Sequence, residues 1–136
     1  MSSMNKWIER YNKKIPEGFK RDERFALFYS PEKGFAEIGD SGKIIIVNQV
    51  CGELKYWRDV AEHIARKRGR SHICTFCLRP ILPYMRLAGV KVNETLPTKF
   101  GEAYFFEDKR AGQKGYAKPA SDGSYFIVWE VTANGI

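Results

Sequence analysis

The sequence predicts a mixed α/β fold whose sheet is mostly antiparallel, with a parallel strand–helix–strand crossover at its centre. Over residues 25–92, apolar runs and helical patterns alternate in the order strand, strand, strand, helix, strand, helix, strand. A long amphipathic pattern covers Leu54–Gly69, and four β-branched residues, Ile44 to Val47, precede it. Short turns between strands favour antiparallel hairpins, whereas a strand–helix–strand unit favours a right-handed parallel crossover.

The N-terminal part of the chain predicts one helix and three strands. A short amphipathic helix over residues 4–14 ends before Pro16. Two short strands follow at Phe25–Tyr29 and Phe35–Ile38, each bounded by turn-forming residues. The strand Lys43–Val50 contains the β-branched run, and so long an apolar stretch indicates a central strand that is buried on both faces.

The helix predicted over Leu54–Gly69 has an apolar stripe and a polar side. The stripe consists of Leu54, Trp57, Val60, Ala61, Ile64 and Ala65. The polar side consists of Lys55, Arg58, Glu62, Arg66 and Lys67. Glu62 and Arg66 are spaced to form an ion pair across one turn, and Gly69 is typical of a helix C-cap.

The rest of the chain predicts shorter elements within one domain, residues 1–136, whose core is 25–92. The next elements are a strand at Ser71–Cys77, a helix at Pro80–Leu87 and a strand at Ala88–Val92. Residues 93–101 are expected to be a loop. Strands at Ala103–Glu107 and Tyr125–Val131 are expected to form a C-terminal hairpin, 103–131, around a long mobile basic loop at 108–120.

The composition is that of a globular chain, because 43% of the residues are hydrophobic and 14% are aromatic. No apolar run approaches the roughly 18 residues that cross a bilayer, and the N-terminus lacks the apolar stretch of a signal peptide. The three cysteines, Cys51, Cys74 and Cys77, are an odd number and are expected to be reduced thiols. The sequence therefore predicts a cytoplasmic protein without membrane contact.

The net charge of +7 has two interpretations. Clustered on one face, it would indicate a polyanionic partner such as nucleic acid. Basic residues occur in every segment, which favours a diffuse charge, with the diphosphate of a cofactor as one anionic partner. The loop 108–120 with its aromatic neighbours could bind nucleic acid by charge and stacking, but a solvated loop is the favoured interpretation. The relevant residues are Lys109, Arg110, Lys114, Lys118, Phe105, Phe106 and Tyr116.

The order of elements resembles the GNAT acetyltransferase superfamily, in which an antiparallel run leads to a central strand, a cofactor-binding helix and a splayed fifth strand. The resemblance covers about half of the chain, from the strand Lys43–Val50 to the segment Tyr84–Val90. Val90 stands where the family usually has phenylalanine, and Tyr84 lies five residues before Gly89, where four is usual. The strand Tyr125–Glu130 also resembles the tail of short GNAT-like proteins of bacteriophages and prophages. This likeness implies the cytoplasm of a bacterium or a phage-infected host cell.

The resemblance implies an acyl-CoA site where the central strand meets the helix. The family usually has Gln or Arg, two residues, Gly, one residue, then Gly or Ala; here Gln49 and Gly52 match, and Leu54 replaces the final small residue. Free amides at a helix N-terminus suit a pyrophosphate, although Glu53 brings a negative charge towards it. A strand-to-helix turn without a ligand is the alternative. The cofactor-binding candidates are Val50, Cys51, Gly52, Glu53, Leu54, Lys55 and Arg58.

The family transfers an acetyl group directly from a thioester to an amine. Tyr84 is the candidate acid for the leaving thiolate, and a packed aromatic residue is its alternative. Glu37 is the candidate base, and an ordinary outward-facing strand residue is its alternative. Asn48 and Gln49, at the strand end, are expected to orient the acceptor or the cofactor amides.

Two cysteine sites carry other interpretations. Cys74 and Cys77 form a single CxxC without a second pair of ligands, so neither zinc nor redox chemistry is favoured. Cys51, at the proposed turn, would need a base to act as a nucleophile, and a structural role is favoured. No metal is predicted.

The function predicted is therefore acetyl-CoA-dependent N-acetylation of an amine on a protein or a small molecule, with a phage-encoded modifier of a host protein as one form. The alternative is a catalytically inactive GNAT-like binding protein whose basic surface engages a host protein or nucleic acid. Nucleic acid is the less favoured partner.

Overall fold

The computed structural model describes residues 3–77, 81–87, 89–108 and 113–131 of the chain. Within these ranges it contains three helices and eight strands. Their bounds are α1 Ser3–Lys14, β1 Ala26–Ser30, β2 Gly34–Asp40, β3 Ile45–Gly52, α2 Leu54–Arg68, β4 His72–Cys77, α3 Ile81–Leu87, β5 Val90–Thr98, β6 Gly101–Asp108, β7 Lys114–Pro119 and β8 Tyr125–Glu130. No helix in the described ranges is both long and apolar enough to cross a membrane.

All eight strands belong to one sheet, in the order β1-β2-β3-β4-β8-β7-β6-β5. The pair β3–β4, which α2 connects, is parallel, and the other pairs are antiparallel. The predicted mixed α/β class and the mostly antiparallel sheet are therefore confirmed. The two edges of the sheet are β1 and β5.

The parallel strands β3 and β4 pair only over their first halves. The last paired residues are Val47 and Thr75, and the Thr75 hydroxyl donates to the Val47 carbonyl oxygen at 2.9 Å. Beyond this point β3 continues to Gly52 and β4 to Cys77 without pairing to each other. The carboxyl ends of the two strands therefore open a gap in the sheet.

A bulge interrupts the β2–β3 pairing next to this gap. Asn48 and Gln49 lie between the paired residues Val47 and Val50, opposite the single residue Glu37. A bulge bends its strand and redirects side chains, and bulges are frequent beside functional sites. Here it places two amide side chains next to one carboxylate.

Helices pack on both faces of the β2–β3 part of the sheet. On one face, Ala36 and Ile38 belong to the same buried cluster as Trp57 and Ala61 of α2. On the other face, the ring of Phe35 lies 5.7 Å from that of Tyr11 in α1. Strand side chains alternate between faces, so Phe35 and Glu37 share the α1 side.

β3 alternates between buried and half-buried residues over its first half. The prediction of a strand buried on both faces is therefore wrong for part of its length.

The bounds of α2 agree with the prediction, whereas its predicted polar side is partly wrong. Gly69 is left-handed, with φ 70°, and forms the C-cap. Arg58 and Glu62, predicted to lie on the polar side, are buried and form an ion pair at 3.6 Å. The reason is that the C-terminal strands cover this side of the helix: the guanidinium lies 5.6 Å from the ring of Trp129 and donates to Gln113 at 3.2 Å.

The predictions of two loops in the C-terminal part of the chain are also wrong. Residues predicted as the loop 93–101 extend β5 to Thr98, and the predicted loop 108–120 contains β7, so 103–131 holds three strands where a hairpin was predicted. Lys109 and Arg110 lie outside the described residues. Tyr116 of β7 packs beside Phe105, with ring centroids 6.4 Å apart, whereas Phe106 faces the core.

Candidate functional site

Two adjoining cavities lie at the gap between β3 and β4. The strand-end cavity, of about 330 Å³, is lined by Glu17, Gly18, Lys20, Asp22, Asn48, Gln49, Phe76 and Cys77. The helix-end cavity, of about 240 Å³, is lined by Lys14, Cys51, Gly52, Glu53, Lys55 and Leu87. Tyr11, Ile15, Val50 and Leu54 line both cavities. Together they form an open groove between α1, the end of β3 and the start of α2.

The structure brings most of the predicted cofactor residues together in the helix-end cavity. Val50, Cys51, Gly52, Glu53, Leu54 and Lys55 all line it. Arg58 does not, because its side chain turns into a small apolar cavity beside Trp129. The prediction of Arg58 as a ligand for the cofactor phosphates therefore has no support in its position.

The first turn of α2 opens onto the helix-end cavity without a side-chain cap. Glu53 occupies the N-cap position, but its carboxylate makes no capping hydrogen bond. Instead it pairs with the Lys33 ammonium group at 2.8 Å. Lys14 and Lys55 line the same cavity. Uncapped amides, the positive end of the helix dipole and two lysines make this end of the groove suitable for an anion.

The need for glycine at position 52 has a structural reason that does not depend on a ligand. Its φ is +112°, and a Cβ at this position would lie 2.0 Å from the Lys33 carbonyl oxygen. That oxygen also accepts hydrogen bonds from the Glu53 N–H at 3.0 Å and from the Trp57 indole at 2.9 Å. The turn between β1 and β2 therefore holds the start of α2 in place, and only glycine fits at position 52.

Glu37 is fully buried and accepts four hydrogen bonds. Its Oε2 accepts from the Arg21 guanidinium at 2.8 Å and from the Asp22 N–H at 2.7 Å. Its Oε1 accepts from the side chains of Asn48 at 3.0 Å and Gln49 at 2.6 Å. Burial acts to raise the pKa of Glu37, but these four hydrogen bonds outweigh it and lower the pKa. The carboxylate is therefore ionised at neutral pH.

The surroundings of Glu37 argue against both interpretations that the sequence suggested. The interpretation of Glu37 as an outward-facing strand residue is wrong, because its side chain has no exposed surface. A general base needs a free lone pair and a pKa near the operating pH, whereas this carboxylate has four donors for its roughly four acceptor sites. Its position suits it to hold Asn48 and Gln49 at the bulge.

Asn48 and Gln49 differ in how much of each amide remains available. Gln49 forms a two-way hydrogen bond with the backbone of Lys20, accepting from its N–H at 3.2 Å and donating to its carbonyl oxygen at 2.5 Å. Asn48 donates to Glu37, which turns its Oδ1 away from the carboxylate. Among the described residues no donor reaches that oxygen, and Asn48 lines the strand-end cavity. Asn48 Oδ1 is thus able to accept a hydrogen bond from a ligand.

Tyr11 is a site residue that sequence reasoning missed. It lines both cavities, and its ring is held against Phe19 and Phe35. Burial raises the pKa of Tyr11, and the nearby Cys51 and Glu37 raise it further. The hydroxyl therefore stays protonated. In the sequence, Tyr11 is simply one apolar residue of an amphipathic helix, and no local signal indicates that α1 packs beside the end of β3.

The remaining candidates are a tyrosine and the cysteines. The side chain of Tyr84 lies outside the described residues, but Leu87 on the same helix lines the helix-end cavity. Cys51 is buried, and its thiol donates to the Trp7 carbonyl oxygen at 3.6 Å. Burial raises the pKa of the Cys74 thiol to about 11, so this thiol is unreactive at neutral pH. In the described ranges no three His, Cys, Asp or Glu side chains converge to hold a metal ion.

Comparison of the chain with protein-family models, curated proteins and solved structures finds no match.

Proposed function

We propose that the chain is an acyl-CoA-dependent N-acyltransferase of the GNAT type. The observation that carries this proposal is the gap between β3 and β4, which opens beside the uncapped start of α2. A parallel pair that diverges at its carboxyl ends gives an extended thioester cofactor a slot between strands. The helix N-terminus beside the slot offers amides to the diphosphate of that cofactor.

The two ends of the groove suit different parts of the reaction. Lys14 and Lys55 at the helix-end cavity complement the phosphates of coenzyme A. Glu17, Lys20 and Asp22 line the strand-end cavity, and Asp22 is paired with Arg24 at 2.7 Å. Glu17 is therefore the carboxylate that would meet a cationic amine entering there. The acceptor is an amine on a protein or a small molecule. The acyl carbon would lie between these ends, near Asn48.

The chemistry at this position is a direct transfer. The cationic amine first loses one proton to solvent water, and its neutral nitrogen then attacks the thioester carbonyl carbon. The carbon–sulfur bond breaks, and the products are an N-protonated amide and a thiolate. The amide nitrogen loses its second proton to solvent water, and the thiolate gains one proton from an acid. Asn48 Oδ1 orients the amine by accepting a hydrogen bond from one of its N–H groups. Glu37 accepts a hydrogen bond from Asn48 and so keeps it in that orientation.

Two tyrosines are candidates for the acid. The family resemblance favours Tyr84, whose helix borders the groove through Leu87. Tyr11 lines both cavities and keeps its proton at neutral pH. Replacing each in turn by phenylalanine separates them, because loss of the acid lowers kcat by roughly 10²–10⁴-fold, whereas loss of a packing hydroxyl leaves kcat nearly unchanged.

The binding step is tested by calorimetry with acetyl-CoA. A Lys14→Glu, Lys55→Glu double variant is expected to weaken binding by at least about tenfold, because each change places a carboxylate near the phosphates. Lys43→Glu, an exposed change in the β2–β3 turn, is the matched control and should bind like the wild type. Isotope-labelled acetyl-CoA and mass spectrometry then identify acetylated amines in a lysate. Absence of binding at millimolar acetyl-CoA would contradict the proposal.

A second candidate function is a non-catalytic binding protein on the same scaffold. The observation that favours it is the chemistry of the lining: Leu54, a bulky residue, lines both cavities, and Glu37 has no free lone pair. This candidate predicts neither acetyl-CoA binding nor acetyl transfer in the experiments above. It is the conclusion to adopt if the wild type fails both.

A further inference from the structure

The last five strands of the sheet, β4, β8, β7, β6 and β5, have one face that is turned away from α2. Their other face contributes Ile73, Ile127, Ala117 and Phe106 to the buried cluster that contains Trp57 of α2. Cross-strand partners point to the same face of a sheet, and neighbours along a strand point to opposite faces. The register therefore places seven apolar residues together on the face turned away from α2, which we call the aromatic face: Phe76, Phe126, Val128, Tyr116, Phe105, Ala103 and Leu96.

Most of the large side chains on the aromatic face are open to solvent. Four of them are between 38% and 50% exposed: Phe76, Leu96, Phe105 and Tyr116. Phe126 packs beside Phe76 with ring centroids 5.3 Å apart, and Phe105 packs beside Tyr116 at 6.4 Å. At about 200 Å² for a whole side chain, the four exposed residues present roughly 350 Å² of surface before their half-buried neighbours are added. An apolar patch of this size is often an interaction surface.

The charges on the aromatic face balance, although the chain as a whole carries +7. With His72 neutral, the charged residues that the register places on this face are Lys91, Lys114, Lys118, Glu94, Glu107 and Glu130. A nucleic acid binds mainly through an excess of positive charge, and this face has no such excess. The aromatic face therefore suits a partner surface that is apolar and has no net charge.

We infer that the chain forms a homodimer through the aromatic face, with the two sheets packed face to face. A second copy of this face has the required chemistry, because it is apolar and its charges balance. Two chains of net charge +7 repel each other in most orientations, and a contact between two neutral faces keeps that repulsion lowest. A two-fold contact uses the same patch on both copies, so the exposed rings of each copy become buried.

The aromatic face is large enough for a stable dimer. Five strands about 4.8 Å apart and about 20 Å long make a flat area of roughly 500 Å². Side chains give such a face more accessible area than flat area, so it approaches the roughly 800 Å² that each partner contributes to a standard interface. Phe76 also lines the strand-end cavity, so the second copy would border that cavity. The inference does not depend on acyltransfer, because association is measured without acetyl-CoA.

The test is sedimentation equilibrium of the full chain at concentrations from about 1 to about 100 μM. The wild type should be a dimer, and a monomer at the highest concentration would overturn the inference. Phe105→Lys should raise the dimer dissociation constant at least about thirtyfold, because it places a charge within the apolar contact. Leu82→Lys, the same change of charge at an exposed apolar residue of α3, is the matched control and should dimerise like the wild type. Equal dissociation constants for the two variants would also overturn the inference.

The position of the contact is tested on the wild type, so the result does not depend on whether a variant folds. Isotope-filtered NOEs between a labelled and an unlabelled copy should involve the methyl groups of Leu96 and Val128. Raising the NaCl concentration from about 0.1 to about 1 M should change the dissociation constant less than about tenfold, because salt screens charges and this contact is apolar. NOEs confined to residues outside the aromatic face, a dimer that dissociates in high salt, or a monomer that binds an oligothymidine probe through Phe105 would each overturn the inference.

Discussion

The Gln49 Nε2 donates to the Glu37 Oε1 at 2.6 Å, and this hydrogen bond joins β3 to β2 across the bulge. The same carboxylate holds Asn48, Arg21 and the backbone of Asp22. One buried anion therefore fixes both the end of the central strand and the segment that leads from α1 into β1. The shape of the strand-end cavity depends on it.

Replacing Glu37 with glutamine is expected to destabilise the fold strongly. The amide has the same shape, but its NH₂ group would face two donors that now bind an oxygen. Each buried donor left without an acceptor costs about 1–3 kcal/mol. Urea unfolding measures the loss, and Glu32→Gln, an exposed change in the β1–β2 turn, is the control. A Glu37→Gln variant as stable as the control would show that this cluster contributes little.

Asp40 makes the stability depend on pH in the acid range. Its hydrogen bond from Arg70, followed by those from the Gly42 N–H and Arg68, lowers the pKa of Asp40 from 3.8 to about 2. Because the folded pKa lies below the unfolded one, the stabilisation is complete above about pH 4 and is lost as the pH falls towards 2. The difference in unfolding free energy between wild type and Asp40→Asn should therefore be constant near neutrality and shrink below pH 4. A difference that persists at pH 2 would contradict this assignment.

Gly52 should tolerate alanine far less well than Gly42. Both residues have positive φ, +112° and +95°, so alanine is strained at each by about 1–2 kcal/mol. Only at Gly52 would the Cβ also meet a backbone oxygen, that of Lys33; nothing lies within 4 Å of the same position at Gly42. We expect this overlap to add about 1–3 kcal/mol to the cost of Gly52→Ala. Equal thermal stabilities of the two variants would show that the β1–β2 turn moves aside.

The fold near the candidate site could be predicted from sequence because its patterns are local. The β-branched run, the stripe from Leu54 to Ala65 and the Gly69 cap each identify an element without knowledge of its neighbours. The second half of β5 and the whole of β7 were missed because both consist mostly of polar residues, glycine and proline, which give no strand pattern. Pairing with the neighbouring strands β6 and β8 makes these residues strands.

The site was predicted less completely because its contacts cross the chain. The sequence placed Asn48 and Gln49 at the end of the central strand, where the structure has them, and Gly52 in the turn that follows, whereas β3 continues to Gly52. It gave no indication that Glu37 would be buried, because a single glutamate in a short strand is usually solvated. The partners that make its burial tolerable, Arg21 and the Asp22 N–H, come from an irregular segment whose position only the packing of α1 determines.

The buried pair Arg58–Glu62 should behave non-additively. Arg58→Leu removes a cation beside a carboxylate that is only 4% exposed, which costs about 3–5 kcal/mol. In the Arg58→Leu, Glu62→Leu double variant no charge of the pair remains to be buried, so stability should recover by several kcal/mol relative to the single variant. Denaturant unfolding of the two variants gives the coupling. A double variant that is less stable than Arg58→Leu alone would mean that Glu62 contributes through other contacts.

Leu54 is the residue whose replacement should improve acetyl-CoA binding. Its side chain lines both cavities of the groove, at the position where the GNAT pattern has a small residue. Alanine widens the groove beside the first amides of α2, and it does not weaken the helix, since alanine is the best helix former. We expect Leu54→Ala to bind acetyl-CoA about tenfold more tightly in calorimetry, or about 1.4 kcal/mol. Leu82→Ala, an exposed change on α3 that lines neither cavity, should not alter affinity. Weaker binding by Leu54→Ala would mean that the leucine contacts the cofactor instead of blocking it.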